Sequence, residues 1–318
     1  MKLGFIGSSE ISKFHLSALK NNNFTVEAIG TRKNSKNCLA FAEKNDLGKA
    51  FCSNGWEEVL DKNLDAYIIC IDTKYNYEII QKALETNKPI LVEKPVDFEL
   101  NNIEKLCQHR NSKNIFVGYN RRFYDSISKL KYLCDISDGG TVIANIPDSI
   151  SGVKEFISNG SHIIDTLRYC LGDFEILNES VKINKSRNDL DSISALCENK
   201  KWNILLNAHS LIPSNFSITV NSDKNVYELK PIENLNIYEG MEIVEPTIEV
   251  PIRKYIPKLK ESIFEKVEFK PGFDCMYKNF MKFIEKKECI SCSIFDAQET
   301  LKVLRLMIET EISDNYLI

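Results

Sequence analysis

The stretch Lys2-Leu3-Gly4-Phe5-Ile6-Gly7-Ser8-Ser9-Glu10-Ile11-Ser12 opens the chain with three pieces in immediate succession. Lys2 to Ile6 reads as a strand, Gly7 to Ser9 as a tight turn, and the apolar positions Ile11, Phe14, Leu16 and Leu19 as one side of a helix. A strand, tight turn and helix in this order offer the helix's N-terminal amides and positive dipole end to a pyrophosphate. The glycine pattern of such turns, Gly-x-Gly-x-x-Gly, is only partly present. Gly7 holds its first position, while Ser9 and Ser12 stand at the second and third. Ser12 is small enough for helix-strand packing; Ser9 brings a Cβ to the point where backbone approaches phosphate.

Working outward, a second strand runs from Thr25 to Ile29 and ends in Gly30-Thr31-Arg32-Lys33. Some 20 residues beyond the glycine turn, such folds choose between NAD, through an acid, and NADP, through a basic residue. Thr31 and Arg32 occupy that place with Lys33 beside them and no carboxylate, which favours NADP over NAD; the alternative is an ordinary solvated turn. A helix with Leu39 and Phe41 follows, then the near-continuous apolar run Ala66 to Ile71, as in a strand covered on both faces. Helical spacing returns over Tyr77–Leu84 and Leu100–Cys107, with short strands at Pro89–Val92 and Ile115–Val117. Regular alternation of strand and helix predicts a doubly wound parallel sheet over residues 1–118. The strand at Pro89–Val92 empties into Glu93-Lys94-Pro95. Ligands of open parallel sheets bind beyond the carboxyl ends of the strands, so Lys94 stands where a cofactor or substrate would lie; the alternative is an exposed Glu-Lys pair at a strand end.

The bulk numbers narrow the class. The chain has 318 residues, of which 43% are hydrophobic and 27% charged, enough for two domains of an ordinary globular protein. A net charge of −4, without a basic block, gives no field for nucleic acid or an anionic membrane. No apolar run approaches the ~20 residues of a membrane span, and the apolar N-terminal stretch ends at Ser8. A cytoplasmic protein is expected. Ten cysteines are scattered over strand-like and helix-like segments, with Cys70, Cys107, Cys170 and Cys197 on apolar patterns typical of buried thiols.

Residues 119–318 read differently. A helix over Ser126–Leu133, a strand over Thr141–Ile146 and a helix over His162–Leu171 closed by Gly172 lead into a strand-rich region from about Phe174 to Pro257. Its strands are expected at Ser192–Cys197, Asn203–Ala208, Phe216–Asn221, Asn225–Leu229 and Ile248–Ile252, alternating polar and apolar as antiparallel strands with one wet face do. Helices at Met276–Glu285 and Asp296–Ile308 finish the chain. Cys289-Ile290-Ser291-Cys292 lies between them, but one Cys-x-x-Cys without a second pair or a nearby histidine is no zinc signature, and no metal is expected.

With these pieces in order, the chain resembles the Gfo/Idh/MocA family of sugar and inositol oxidoreductases along essentially its whole length. The resemblance rests on Gly7 with its helix and His15, on Glu93-Lys94-Pro95, on Gly118-Tyr119-Asn120-Arg121-Arg122-Phe123, on Gly160-Ser161-His162-Ile163-Ile164-Asp165, and on Phe280–Ile284 with Asp296-Ala297. It implies a Rossmann domain at residues 1–118 and, at 119–318, an α/β domain whose large, mostly antiparallel sheet serves as an oligomer interface in a homodimer or tetramer. It also implies hydride transfer between a nicotinamide and a carbinol or ketone carbon of a sugar or nucleotide-linked sugar. Lys94 then polarises the reacting oxygen and His162 moves its proton, roles that the chemistry of both side chains allows near neutral pH. On the cofactor side the resemblance implies Gly7, Ser8, Ser9, Ile11, Thr31, Arg32, Asp72, Asn76, Glu93 and Lys94, and on the substrate side Tyr119, Asn120, Arg122, Asn159 and Asp165. The sequence departs from the pattern at Ser158, where an acid four residues before His162 is usual, at Asp72 in place of a proline, and at Asn76 in place of a histidine. A cofactor- or sugar-binding protein that has lost catalysis on the same scaffold is the alternative.

Overall fold

The structure is a computed structural model and describes residues 1–31, 38–47, 50–53, 55–147, 152–184, 189–210, 212–266 and 270–308. The chain divides into two compact units. Met1–Phe123 with Lys270–Lys302 forms the first, and Tyr124–Phe269 with Val303–Ile318 the second. A single cut after residue 118 does not anticipate that the chain returns to its first unit.

In the first unit the order is β1 (Lys2–Ile6), α1 (Ser12–Asn21), β2 (Thr25–Gly30), α2 (Cys38–Lys44), β3 (Phe51–Ser53), α3 (Glu57–Leu60), β4 (Ala66–Ile69), α4 (Asn76–Glu85), β5 (Ile90–Val92), α5 (Leu100–Gln108) and β6 (Ile115–Val117). The strands form one parallel six-stranded sheet in the order β3-β2-β1-β4-β5-β6. This is the expected doubly wound sheet, and its order reverses between β1 and β4. The apolar runs explain the interior: all residues of β4, β5 and β6 are buried, as strands covered on both faces must be. β3 was not anticipated. It is three residues long with Phe51 exposed, so it carries no periodic signal.

The second unit holds α6 (Asp125–Ile136), β7 (Gly140–Ile146), α7 (Val153–Leu171) and the strands β8 (Glu175–Asn184), β9 (Asp189–Glu198), β10 (Trp202–His209), β11 (Ser217–Ser222), β12 (Asn225–Leu229), β13 (Asn234–Val244) and β14 (Lys254–Phe264). They make an eight-stranded sheet in the order β14-β13-β12-β11-β7-β10-β9-β8, antiparallel except where β10 runs parallel to β7. The expected large, mostly antiparallel sheet is present. One face forms the core with Val142, Ala144, Ile193, Ala195, Ile204, Leu206 and Val220 buried, while Ile143, Leu196 and Leu205 on the other face are exposed. Two expectations are corrected. Ile248–Ile252 is not a strand: it lies between β13 and β14, where the Thr247 amide donates to Val250 O at 2.9 Å and closes a turn. The helix of His162 starts at Val153, so His162 sits in its interior and not at its N-terminus. Gly160, a poor helix former, hid the continuity; it is buried in contact range of Leu304.

The chain ends with α8 (Phe273–Ile284) and α9 (Ile294–Leu306). α8 packs on α1 in the first unit. Among the described residues no helix is long and apolar enough to cross a membrane.

Candidate active site

The carboxyl ends of β1, β2, β4 and β5 gather most of the cofactor-side residues. Gly7 follows β1 with φ +127°, and its amide donates to Gly30 O at 2.9 Å. A Cβ on Gly7 would stand 2.0 Å from the Cys70 carbonyl oxygen at the end of β4, so only glycine fits. Ser8 and Ser9 are exposed, and Ile11 takes the N-cap position of α1 without offering a capping side chain. The first turn of α1 contains no acid to repel an anion at its positive dipole end.

The serines in glycine positions acquire a structural account. Ser9 Oγ lies 3.1 Å from Ser12 Oγ and donates to Cys70 O at 3.3 Å, and Ser12 Oγ donates to Cys70 Sγ at 3.3 Å. The Ser9 side chain is thus drawn toward β4. Thr31 is buried after β2, and its Oγ1 has no hydrogen-bond partner among the described residues. Arg32 and Lys33 lie outside the described residues.

Asp72 caps the short turn after β4, accepting from the Lys74 amide at 3.3 Å and pairing with Lys74 Nζ at 3.3 Å. Asn76, the first residue of α4, is buried and reaches across to the loop after β5: Nδ2 donates to Pro95 O at 3.4 Å and Val96 O at 3.0 Å, while its Oδ1 has no hydrogen-bond partner among the described residues. The asparagine therefore ties the loop that carries Lys94. Glu93 uses one carboxylate oxygen for each of two neighbours. Oε2 accepts from the Lys94 amide at 3.1 Å, and Oε1 lies 2.7 Å from Nε2 of His15 on α1. Burial opposes ionisation of Glu93, yet the hydrogen bond and charge of His15, with Lys94 beside it, hold its pKa below the ordinary range. Lys270, packed over the rings of Phe14 at 4.7 Å and Phe273 at 5.7 Å, has its pKa lowered by burial, with Arg121 and Lys13 adding repulsion and Glu93 opposing.

The substrate-side candidates fall into two groups. Tyr119, Asn120 and Arg122 are buried in the first unit. Asn120 Nδ2 donates to Pro271 O at 3.1 Å. Arg122 lies with its guanidinium 5.3 Å from the Tyr119 ring centre, donates to Ser291 O at 2.6 Å, and pairs with Asp296 at 3.2 Å. Burial works against the Asp296 carboxylate, but Arg122 and Ser293 hold its pKa low. These bonds make Arg122 a brace for the Ser291–Asp296 segment. Asn159, His162 and Asp165 share α7 of the second unit, with His162 half-buried and Asp165 fully buried. Their spacing of three residues brings them to one side of the helix.

His15 is the residue whose importance the sequence reading understated. It appeared there only within a motif, yet it is wholly buried between Glu93 and Tyr277, whose hydroxyl lies 2.7 Å from Nδ1. A histidine on the apolar side of a helix was the available signal.

Residues 1–120 match the family model described as oxidoreductase family, NAD-binding Rossmann fold. Over those residues the chain is similar to the Gfo/Idh/MocA oxidoreductases. Among curated relatives, an uncharacterised oxidoreductase, YrbE, of Bacillus subtilis is 26% identical over 184 residues, covering 53% of each chain. The myo-inositol 2-dehydrogenase of Thermotoga maritima is 25% identical over 144 residues, 45% of this chain and 42% of its own. These matches thus span about half the length of the curated relatives. A solved dehydrogenase, MviM, from Clostridium difficile shares the fold with a TM-score of 0.76 at 18% identity, over 98% of this chain and 99% of its own.

The residues present fit a dinucleotide: a turn with room for no Cβ at Gly7, a first helical turn without an acid, and the buried Thr31 Oγ1, which has no partner among the described residues. Gly7, the Ser8 and Ser9 amides and the start of α1 would hold its pyrophosphate, and Thr31 its adenosine ribose.

Proposed function

We propose that this chain is a member of the Gfo/Idh/MocA family and an NAD(P)-dependent dehydrogenase or reductase acting on a CH–OH group of a sugar, nucleotide-linked sugar or related polyol. The observation that carries the reading is the convergence of Gly7, Thr31 and the Glu93-Lys94 pair at the carboxyl ends of one doubly wound sheet. The myo-inositol 2-dehydrogenase named above supports the polyol class. A bound nicotinamide supplies the hydride acceptor or donor. Lys94 orients the reacting oxygen and stabilises negative charge developing on it. His162 takes the hydroxyl proton in oxidation and returns one in reduction. Asn159, Asp165, Tyr119 and Asn120 are proposed on the substrate side. The absence of an acid at Thr31 supports NADP as the preferred cofactor over NAD.

The test is titration of the purified protein with NADPH and NADH, followed by a polyol and sugar screen with wild type and Lys94→Met. Binding of either nucleotide, with turnover that falls by orders of magnitude in Lys94→Met, is the expected result. No binding of either nucleotide overturns the reading. Ser158, in place of an acid before His162, favours a second reading in which the chain binds cofactor or sugar without turnover; nucleotide binding with no turnover over the whole screen selects it.

A homo-oligomer is proposed as well. Exposed Ile143, Leu205 and Leu196 are cross-strand neighbours on the open sheet face, and β13–β14 continue outward with Met241, Ile243, Tyr255 and Leu259 exposed. The row between the two groups is polar, through Thr219, Glu228 and Asn236, but each exposed apolar group calls for a cover. Sedimentation should give a dimer or tetramer that Leu205→Lys shifts toward monomer; a monomeric wild type rejects the proposal.

A further inference from the structure

Three side chains from distant parts of the sequence, none exposed to more than a small degree, form a single hydrogen-bonded line in the first unit. Tyr277 Oη on α8 meets His15 Nδ1 on α1 at 2.7 Å, and His15 Nε2 meets Glu93 Oε1 at 2.7 Å. Glu93 Oε2 then accepts from the Lys94 amide at 3.1 Å. His15 and Tyr277 are 0% exposed and Glu93 14% by side chain. Rings enclose the imidazole: Phe273 at 5.0 Å and Tyr277 at 5.8 Å meet it edge-on, and Phe5 lies 6.4 Å away. Gly118 lies against the same carboxylate, where a methyl group would stand 3.1 Å from Oε1. Neither the imidazole nor the carboxylate has freedom to turn.

We propose that His15 and Tyr277 are positioning residues for Lys94: Tyr277 fixes the His15 ring, His15 orients the Glu93 carboxylate, and Glu93 holds the Lys94 backbone at the strand exit. The inference rests on the functional reading above only for its effect on turnover. Its physical basis is that a buried ion pair adds little net stability compared with apolar residues of the same volume, while it does fix orientation when every lone pair and proton is satisfied. Protonated His15 donates from both nitrogens, one to the Glu93 carboxylate and one to the Tyr277 oxygen; neutral His15 keeps the Glu93 bond and accepts from the Tyr277 hydroxyl. Both states preserve the line, and only the protonated one places a full charge against Glu93. The charged or titratable groups facing the pair are Cys70 from the end of β4, Tyr277 from α8, Lys94 itself, and Lys270 opposite Glu93.

The experiment compares wild type, Tyr277→Phe and His15→Gln, each as the full chain. The first readout needs no ligand: the Lys94 backbone amide resonance, followed against pH by heteronuclear NMR. In wild type it should titrate with the same alkaline midpoint as the His15 imidazole, lose that titration in His15→Gln, and move its midpoint in Tyr277→Phe. The second readout is steady-state kinetics well below the unfolding temperature, where displacement of Lys94 should lower kcat by about 10- to 100-fold with KM little changed. A Lys94 amide indifferent to both substitutions, or variants with wild-type kcat, reduces His15 to a core residue and overturns the proposal. If His15→Gln does not fold, Tyr277→Phe, which removes one hydroxyl and keeps the ring, carries the test alone. Should wild type bind no nicotinamide nucleotide, the functional reading fails, while the amide titration still decides the inference.

Discussion

At the scale of single residues, the structure converts motif positions into physical requirements. Gly7 needs its positive φ and leaves no room for a methyl group beside Cys70 O. Gly7→Ala should therefore destabilise the protein by at least about 1–3 kcal/mol, the range for strained backbone, as measured by urea denaturation. His15 carries a pH signature. Burial alone would lower its pKa, but Cys70 and Glu93 raise it to about 9. A histidine raised in the folded state contributes stability that is complete below its unfolded pKa, ~6.5, and is lost as pH rises through about 9. Glu93, shifted the other way, loses its contribution as pH falls through the carboxylate range. Melting temperature should thus decline from pH 6.5 to 9 by more in wild type than in His15→Gln. Equal slopes would show that His15 is not protonated in the fold.

At the scale of elements, the same hydrophobic pattern has unequal consequences. Ile204 sits at the middle of β10 with no exposure, between Val142 of β7 and Cys197 of β9. Truncating it to alanine removes packing in the strand that joins the two antiparallel parts of the sheet. A loss of about 2–5 kcal/mol in chemical denaturation is expected. Ile248, at the tip between β13 and β14, is fully exposed, and Ile248→Ser should change stability by less than ~0.5 kcal/mol. The contrast separates a strand position from a turn position that looked alike in sequence. Both stretches alternate apolar and polar residues, but Pro251 within the second removes a ladder donor, and it finds no strand partner.

At the scale of the whole molecule, stability comes from two hydrophobic cores and not from covalent links. All ten cysteines are free, and Cys38, Cys70, Cys134, Cys170, Cys197 and Cys292 are buried. Burial pushes the thiols of Cys134 and Cys197 up to about 12, which keeps them as unreactive thiols near neutral pH. A reducing agent should leave the melting temperature unchanged within error, and a drop would reveal a disulfide. Ligand linkage acts on the molecule in the other direction. A nicotinamide nucleotide at 100 times its Kd should add roughly 2.7 kcal/mol to the free energy of unfolding.

The sequence by itself determined the Rossmann sheet, because strands covered on both faces, such as Ala66–Ile69 and Ile90–Val92, must be continuously apolar and so announce themselves. It also determined the motif positions Gly7, Glu93-Lys94 and His162, and the presence of a mostly antiparallel sheet. Tertiary structure alone decided the rest. β3 pairs only through its neighbour β2, the β13–β14 hairpin turns where Ile248–Ile252 alternates like a strand, and α7 continues through a glycine accommodated beside Leu304. The Tyr277–His15–Glu93 line joins residues up to 262 positions apart. Local sequence encodes periodicity and backbone preference. Which buried polar group meets which partner is set only when distant elements pack, because each such group must then find its hydrogen bonds within the protein.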